Sequence, residues 1–226
     1  MSSASVPSYK RLDRLTLREQ ARQALRTSVI TGELEPDRLY SVAAFAAKLG
    51  VSITPVREAV GDLANAGLVE IVRSRGFTVP LLTDHDLDEI FELRLMLEMP
   101  SVSRLAGQLG STEIAECRRL VERGREFASA AQLAEFLQAD RDFHLRLLSF
   151  HNNRRLVEII DRLRDQTRLY GLPHLAIAGH LIDFAEEHAS LLRAIEVGDR
   201  RAASEQMEHH LRHTRGVWAG RAEQPG

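Results

Sequence analysis

Residues 50–60 read GVSITPVREAV, and what stands on either side of them decides the fold. Gly50 is a natural helix stop, because glycine takes a left-handed backbone at little cost. Pro55 suits the first turn of a new helix, where its missing N–H would lack a partner anyway. The stretch therefore predicts one helix ending at Leu49 and another beginning near Thr54, after the short connection Gly50-Val51-Ser52, and running to about Ala66. Upstream, Ser41 is placed to cap a short helix over 42–49. Farther back, Leu17, Ala21, Ala24/Leu25 and Ser28/Val29 recur at helical spacing between residues 16 and 31, before Gly32 and the turn Glu35-Pro36-Asp37. Beyond Gly67, residues 68–72 (LVEIV) and 77–79 (FTV) read as two short strands, with Arg73-Ser74-Arg75-Gly76 turning between them. Three helices and a hairpin, with a tight turn before the third helix, make a winged helix-turn-helix plan.

The remainder carries helical signals only, over 84–109, 111–130, 132–150, 154–170, 180–197 and 200–217. Gly110-Ser111, Asn152-Asn153, Gly171-Leu172-Pro173 and Gly198-Asp199 mark the breaks, and the tail 221–226 reads as loose. Long helices with short connections predict an antiparallel six-helix bundle. The expected fold class is mainly α: a winged helix-turn-helix DNA-binding domain over 1–80, then an all-α bundle over 84–226.

Composition agrees with a globular chain. Of 226 residues, 44% are hydrophobic and 27% charged, and no apolar run approaches the roughly 20 residues of a membrane helix. The start MSSASVPSYKRLDR lacks an apolar core, so no secretory signal is expected. The single cysteine, Cys117, excludes an internal disulfide framework and a CxxC zinc site, and points to a reducing cytoplasm. Residues 1–80 carry 11 Lys and Arg against 8 Asp and Glu, a net +3, whereas 81–226 carry 19 against 24, a net −5. All 9 histidines lie beyond residue 84. Two modules with different partners are expected.

In the first module, a reading helix must bring its N-terminal residues to base edges in the major groove. That end presents Ser52, Ile53, Thr54 and Arg57. Arg57 lies one turn in from Thr54, where a guanidinium pairs bidentately with guanine and contributes about 1–3 kcal/mol of discrimination. Thr54 and Ser52 suit phosphate contacts at the positive helix start. Arg73 and Arg75 sit at the hairpin tip, where a wing meets the backbone or minor groove. Solvated surface arginines are the plain alternative for any one of them.

In the second module, Asp140 and His144 are an i,i+4 pair on the apolar face of their helix, between Leu137 and Leu147. His188 follows Phe184 and precedes Leu191 and Leu192, and His210 stands on the stripe Ala203, Met207, Leu211, Thr214. One carboxylate and three imidazoles suit a borderline divalent ion such as Zn²⁺, Ni²⁺, Mn²⁺ or Fe²⁺. Spacing alone leaves two readings open, a metal centre and separately hydrogen-bonded core histidines. Arg94 likewise faces the apolar side, four residues before Glu98, either as an internal ion pair or forked onto a ligand carboxylate. His85, His151, His174, His180, His209 and His213 read as surface or loop residues, His151 least firmly.

The stretch 50–60, with Leu63, Gly67-Leu68-Val69 and Arg75-Gly76-Phe77-Thr78-Val79, resembles the GntR family of bacterial transcription regulators. The family's usual arginine is Ile53 here, which implies an altered operator preference, with a thymine methyl as a contact for the isoleucine. Asp140-Arg141-Asp142-Phe143-His144, Asn153, residues 187–199 (EHASLLRAIEVGD) and Met207-x-x-His210-Leu211 are similar to the FadR-type ligand-binding domain called FCD. Six helices rather than seven resemble its VanR-type subgroup. The resemblance implies metal ligands at Asp140, His144, His188 and His210, and an effector carboxylate near Arg94. It further implies a homodimer on a palindromic operator, a small organic acid as effector, and repression that the effector relieves. A metal-ion-responsive regulator is the alternative, and a metal-dependent enzyme acting on a small carboxylate a more distant one. Against the enzyme stand the missing HExxH, helical ExxH, GxSxG and phosphate-loop motifs.

Overall fold

The computed structural model describes residues 16–168 and 181–218. In chain order they form α1 (Leu17–Ile30), α2 (Val42–Leu49), α3 (Ile53–Asn65), β1 (Glu70–Val72), β2 (Gly76–Thr78), α4 (Asp84–Leu105), α5 (Ser111–Ser129), α6 (Leu133–Ser149), α7 (Arg154–Arg168), α8 (Leu181–Val197) and α9 (Arg200–Trp218). The molecule is mainly helical, with a winged helix-turn-helix at the N-terminal end and a helical bundle behind it. The expected break at 171–173, His174, His180, the leader 1–14, the tail 221–226 and the full helix count of the bundle bear on residues outside the described ones. Among the described residues, no helix is long and apolar enough to cross a membrane.

Local chemistry sets the helix ends. The Thr16 hydroxyl accepts from the Glu19 N–H, and Ser41 accepts from Ala44 N–H, so each occupies an orphan donor at a helix start. Gly50 ends α2 at φ +68°, a left-handed residue that a side chain would resist. Thr83 and Asp86 cap α4 reciprocally. The hairpin pairs Glu70 with Thr78, Ile71 with Phe77 and Val72 with Gly76, antiparallel. Tyr40 extends it: its N–H donates to Phe77 O at 2.8 Å and its carbonyl accepts from Phe77 N–H at 3.0 Å. The wing is thereby tied to the segment just before α2.

Most boundaries fall within a residue of the sequence reading, and two differ by more. The first strand begins at Glu70 rather than Leu68, because Leu68 and Val69 are buried and Leu68 N–H instead closes the end of α3 on Leu63 O. Helix α4 ends at Leu105 rather than 109. Gly107, at φ +72°, turns the chain so that its N–H donates to Ile195 O on α8.

Among the described residues three hydrophobic clusters result, one in the head and two in the bundle. Leu25, Val56, Ala59, Leu63 and Phe77 pack inside the reading head. Val102, Cys117, Phe143, Leu147, Ile195, Met207 and Leu211 fill the bundle. Each fully buried large side chain contributes about 1.5–3 kcal/mol of transfer free energy. Burial pushes the Cys117 thiol up to about 11, so it stays protonated and inert.

Candidate metal centre and reading surface

The reading surface follows from α3. Ser52 is its N-cap, and among the described residues its hydroxyl makes no capping bond. Ser52, Thr54 and Arg57 are exposed, and Ile53 is 38% exposed at the first helical position. Val56, Ala59, Val60 and Leu63 occupy the opposite, buried side. Arg73 and Arg75 are exposed on the β1–β2 turn, either side of Ser74 at φ +58°. The five polar residues expected to meet nucleic acid thus all lie at the surface, on the helix start and the wing.

The second site lies inside the bundle. Helix α6 supplies Asp140 and His144, α8 supplies His188, and α9 supplies His210. Their inward placement follows from helical spacing, since each imidazole falls on the stripe that also carries Leu147, Leu191 or Met207. His144 Nε2 lies 3.1 Å from His188 Nε2, and Asp140 Oδ1 lies 3.3 Å from His188 Nε2 and 3.6 Å from His144 Nε2. One ligand atom from each of the four residues falls within 4.8 Å of the others. All three rings are buried.

The surroundings prepare these groups. Burial, reinforced by the Arg164 charge, holds the His144 imidazole well below the ordinary histidine range. Burial also depresses His210, against the pull of Glu187. Neutral rings keep a lone pair for a cation. His210 Nδ1 donates to Glu187 Oε2 at 2.7 Å, which turns its Nε2 edge toward the cluster. The other oxygen of Glu187 takes His213 Nδ1 at 2.5 Å. Burial alone would raise the Glu187 carboxyl, but the bonds from His210 and His213 hold it far below the usual range. His213 is buried and stacks on Phe184, which corrects its reading as a surface residue. Among the described residues the buried Nδ1 of His144 has no hydrogen-bond partner, its nearest carboxylate oxygen being Glu98 Oε2 at 3.6 Å.

Beside the histidines runs a buried chain of charges. Arg94 Nε donates to Glu98 Oε1 at 2.7 Å, so the internal ion pair is what the structure holds at this position. Arg164 of α7 donates from Nη1 to Glu98 Oε2 at 3.2 Å and from Nη2 to Asp140 Oδ2 at 2.8 Å. Although burial opposes its charge, Arg94 and Arg164 keep the Glu98 carboxyl below its ordinary value. Burial pulls the Arg94 guanidinium down, whereas Asp140 and Glu98 more than offset that effect at Arg164. Arg164, Glu187 and His213 were missing from the sequence reading of the site. Arg164 was findable: it lies four residues after the buried Ile160, on the inward stripe of α7. His151 stands apart, its Nε2 3.0 Å from Ser101 O.

This donor set fits a divalent cation. It offers one carboxylate, three imidazoles with converging nitrogens, and a carboxylate behind His210 that fixes the ring.

The pattern of the FCD domain matches residues 89–213, and that of bacterial regulatory proteins, gntR family, matches residues 17–79. The chain is similar to the HTH-type transcriptional regulator McbR of Escherichia coli (strain K12), 27% identical over 197 residues, covering 86% of this chain and 89% of that protein. It is also similar to a probable D-xylose utilization operon transcriptional repressor of Paenarthrobacter nicotinovorans, 31% identical over 205 residues, covering 89% and 88%. The solved structure of E. coli McbR/YncC matches with a TM-score of 0.81 at 25% identity, over 92% of this chain and 99% of that one.

Proposed function

The chain belongs to the gntR family of bacterial regulatory proteins, with an FCD domain behind its reading head, and on that premise we propose that it is a repressor whose operator affinity is set by a small organic acid at a divalent metal centre. It is a DNA-binding transcriptional regulator and not an enzyme, as are the relatives it matches. The finer reading divides the chain into a head over 1–80 and a sensing and dimerising bundle over 84–226, working in the cytoplasm as a homodimer on a palindrome. Two equivalent heads match the symmetry of such a site.

One observation carries the sensing half: the convergence of Asp140, His144, His188 and His210 inside a bundle that is joined to a reading head. These four would hold the ion, which would supply a Lewis-acidic anchor for a ligand carboxylate. The buried guanidiniums of Arg94 and Arg164 balance the carboxylates of Glu98 and Asp140. Adding a cation to that set leaves a surplus of positive charge, which an anion offsets. Arg94 is the residue proposed to turn toward the effector carboxylate, giving up its bond to Glu98. Zn²⁺, Ni²⁺, Mn²⁺ and Fe²⁺ all suit the donors.

At the other end, Arg57 is proposed to read guanine, with Thr54, Ser52, Arg73 and Arg75 on the phosphates. Arg57→Ala is expected to abolish specific binding while the fold and the centre stay intact.

The test is a thermal-shift screen of small carboxylic acids against protein with and without chelator treatment, followed by operator binding. A hit that vanishes on chelation supports the anchored acid, because a ligand selective for the native state raises the melting temperature. A hit that survives chelation assigns the acid to the arginines. Operator affinity changed by the metal alone, with no acid adding to it, makes the ion itself the signal.

A further inference from the structure

Three consecutive residues of α7 reach three different parts of the molecule. Arg164 bonds Asp140 and Glu98 at the centre. Asp165 accepts a fork from Arg26 of α1, with Nε 2.6 Å from Oδ2, and both side chains are less than a tenth exposed. Gln166 donates from Nε2 to the carbonyl of Ala66, the C-cap of α3, at 3.2 Å. Successive helix positions point about 100° apart, so one turn of α7 touches the centre, the first helix of the head and the end of its reading helix. Gly67 makes the last contact possible, since a Cβ there would collide with the Gln166 amide. Alongside these contacts a cleft of about 180 Å³ separates head from bundle, lined by Arg22, Asp62, Leu68 and Asp161 among others. The head is pinned to α7 next to open space.

We propose that α7 relays the state of the buried centre to the reading head, with Arg164 on the sensing side and Asp165 and Gln166 on the output side. This rests on the metal reading above. Asp140 holds Arg164 here, and the same carboxylate is counted among the four cation ligands. A cation taken by Asp140 Oδ1, the oxygen that faces His144 and His188, draws charge from the carboxylate whose Oδ2 holds Arg164 and gives that guanidinium a positive neighbour. Buried away from water, the guanidinium must shift toward Glu98 or toward an incoming anion. Because Arg164, Asp165 and Gln166 share one rigid turn, a shift of the first moves the acceptor of Arg26 and the donor to Ala66. The angle at which the head is held then depends on the occupancy of the centre, and with it the spacing of two heads on DNA.

The experiment uses the full chain, stripped with chelator and titrated with Zn²⁺ by calorimetry. Hydrogen–deuterium exchange is then read in peptides covering α1 and the α3–Gly67 segment, with and without stoichiometric Zn²⁺. In the wild type, Zn²⁺ is expected to change exchange in both segments by about fivefold or more, in line with ordinary coupling free energies. Asp165→Asn is expected to bind Zn²⁺ with unchanged stoichiometry while more than half of the Zn²⁺-dependent change in α1 is lost. A merely structural ion pair would instead raise α1 exchange equally with and without Zn²⁺ and leave the difference between them intact, which overturns the relay. So does a wild type that binds Zn²⁺ with no change in α1 or α3. Gln166→Ala, at a half-buried position, keeps the test open if Asp165→Asn does not fold, and is expected to lose the response at the α3 end. No Zn²⁺ binding by the wild type overturns the centre, and the relay with it.

Discussion

Burial disfavours the charged forms of His144 and His210, and that has a stability consequence with a definite sign. His144 and His210 have folded pKa values below the roughly 6.5 of an unfolded chain. Between those values the unfolded state binds more protons, so stability rises with pH there. The contribution is fully present above about 6.5 and is lost as pH falls through that value toward the folded pKa. Urea melts of chelator-treated protein from pH 8 to pH 5 are expected to show a slope approaching about 1.4 kcal/mol per pH unit for each such ring. A flat profile would mean that the rings titrate alike in the folded and unfolded states. Glu187, held low, contributes in a separate window: its effect is fully present above its ordinary value of 4.5 and is lost as pH falls from there. It also fixes His210, so Glu187→Gln is expected to weaken Zn²⁺ binding about 10- to 100-fold with all four ligands in place. Affinity unchanged in calorimetry would show that the ring needs no such support.

At the scale of elements, the wing depends on one backbone position. Gly76 sits at φ +142°, and a Cβ there would collide with the Tyr40 carbonyl oxygen that accepts the Phe77 N–H. Gly76→Ala is therefore expected to cost about 1–3 kcal/mol, read as a lowered urea midpoint, and to swing Arg73 and Arg75 out of register. Unchanged DNA affinity in the folded fraction would exclude the wing from the interface. Much of this element order was legible, because Gly50, Pro55, Gly67 and Gly76 punctuate the head at the positions where the backbone turns. The ligand quartet was legible for a similar reason, as each member lies at helical spacing from apolar neighbours. What escaped was pairing between distant helices. Glu187 and His213 gain their roles only when α8 meets α9, and Arg26 with Asp165 only when the head meets α7. The end of α4 escaped too, because the Gly107 turn is fixed by a bond to Ile195, 88 positions away along the chain.

For the whole molecule, the unsettled surface is the outer side of α4. Leu87, Ile90, Arg94, Glu98, Val102 and Leu105 face inward, whereas Leu93, Met96 and Pro100 form an exposed apolar stripe at i, i+3 and i+7. Met96 is 68% exposed and Leu93 47%, a cost that a lone chain has no reason to bear on a helix otherwise committed to the centre. A second copy meeting the first across a two-fold axis would cover the stripe with itself, since such an interface uses the same patch twice. That arrangement places α4, and through Glu98 the buried charge chain, between the two subunits. Met96→Glu puts a charge at the middle of the stripe and is expected to leave the fold and Zn²⁺ binding intact while sedimentation shows a monomer. Each head would then bind a half-site as before. Affinity for the full palindrome would fall about 100-fold or more, because the second contact would no longer be intramolecular. A dimer that survives Met96→Glu with full palindrome affinity would move the interface off α4 and leave the stripe to another partner.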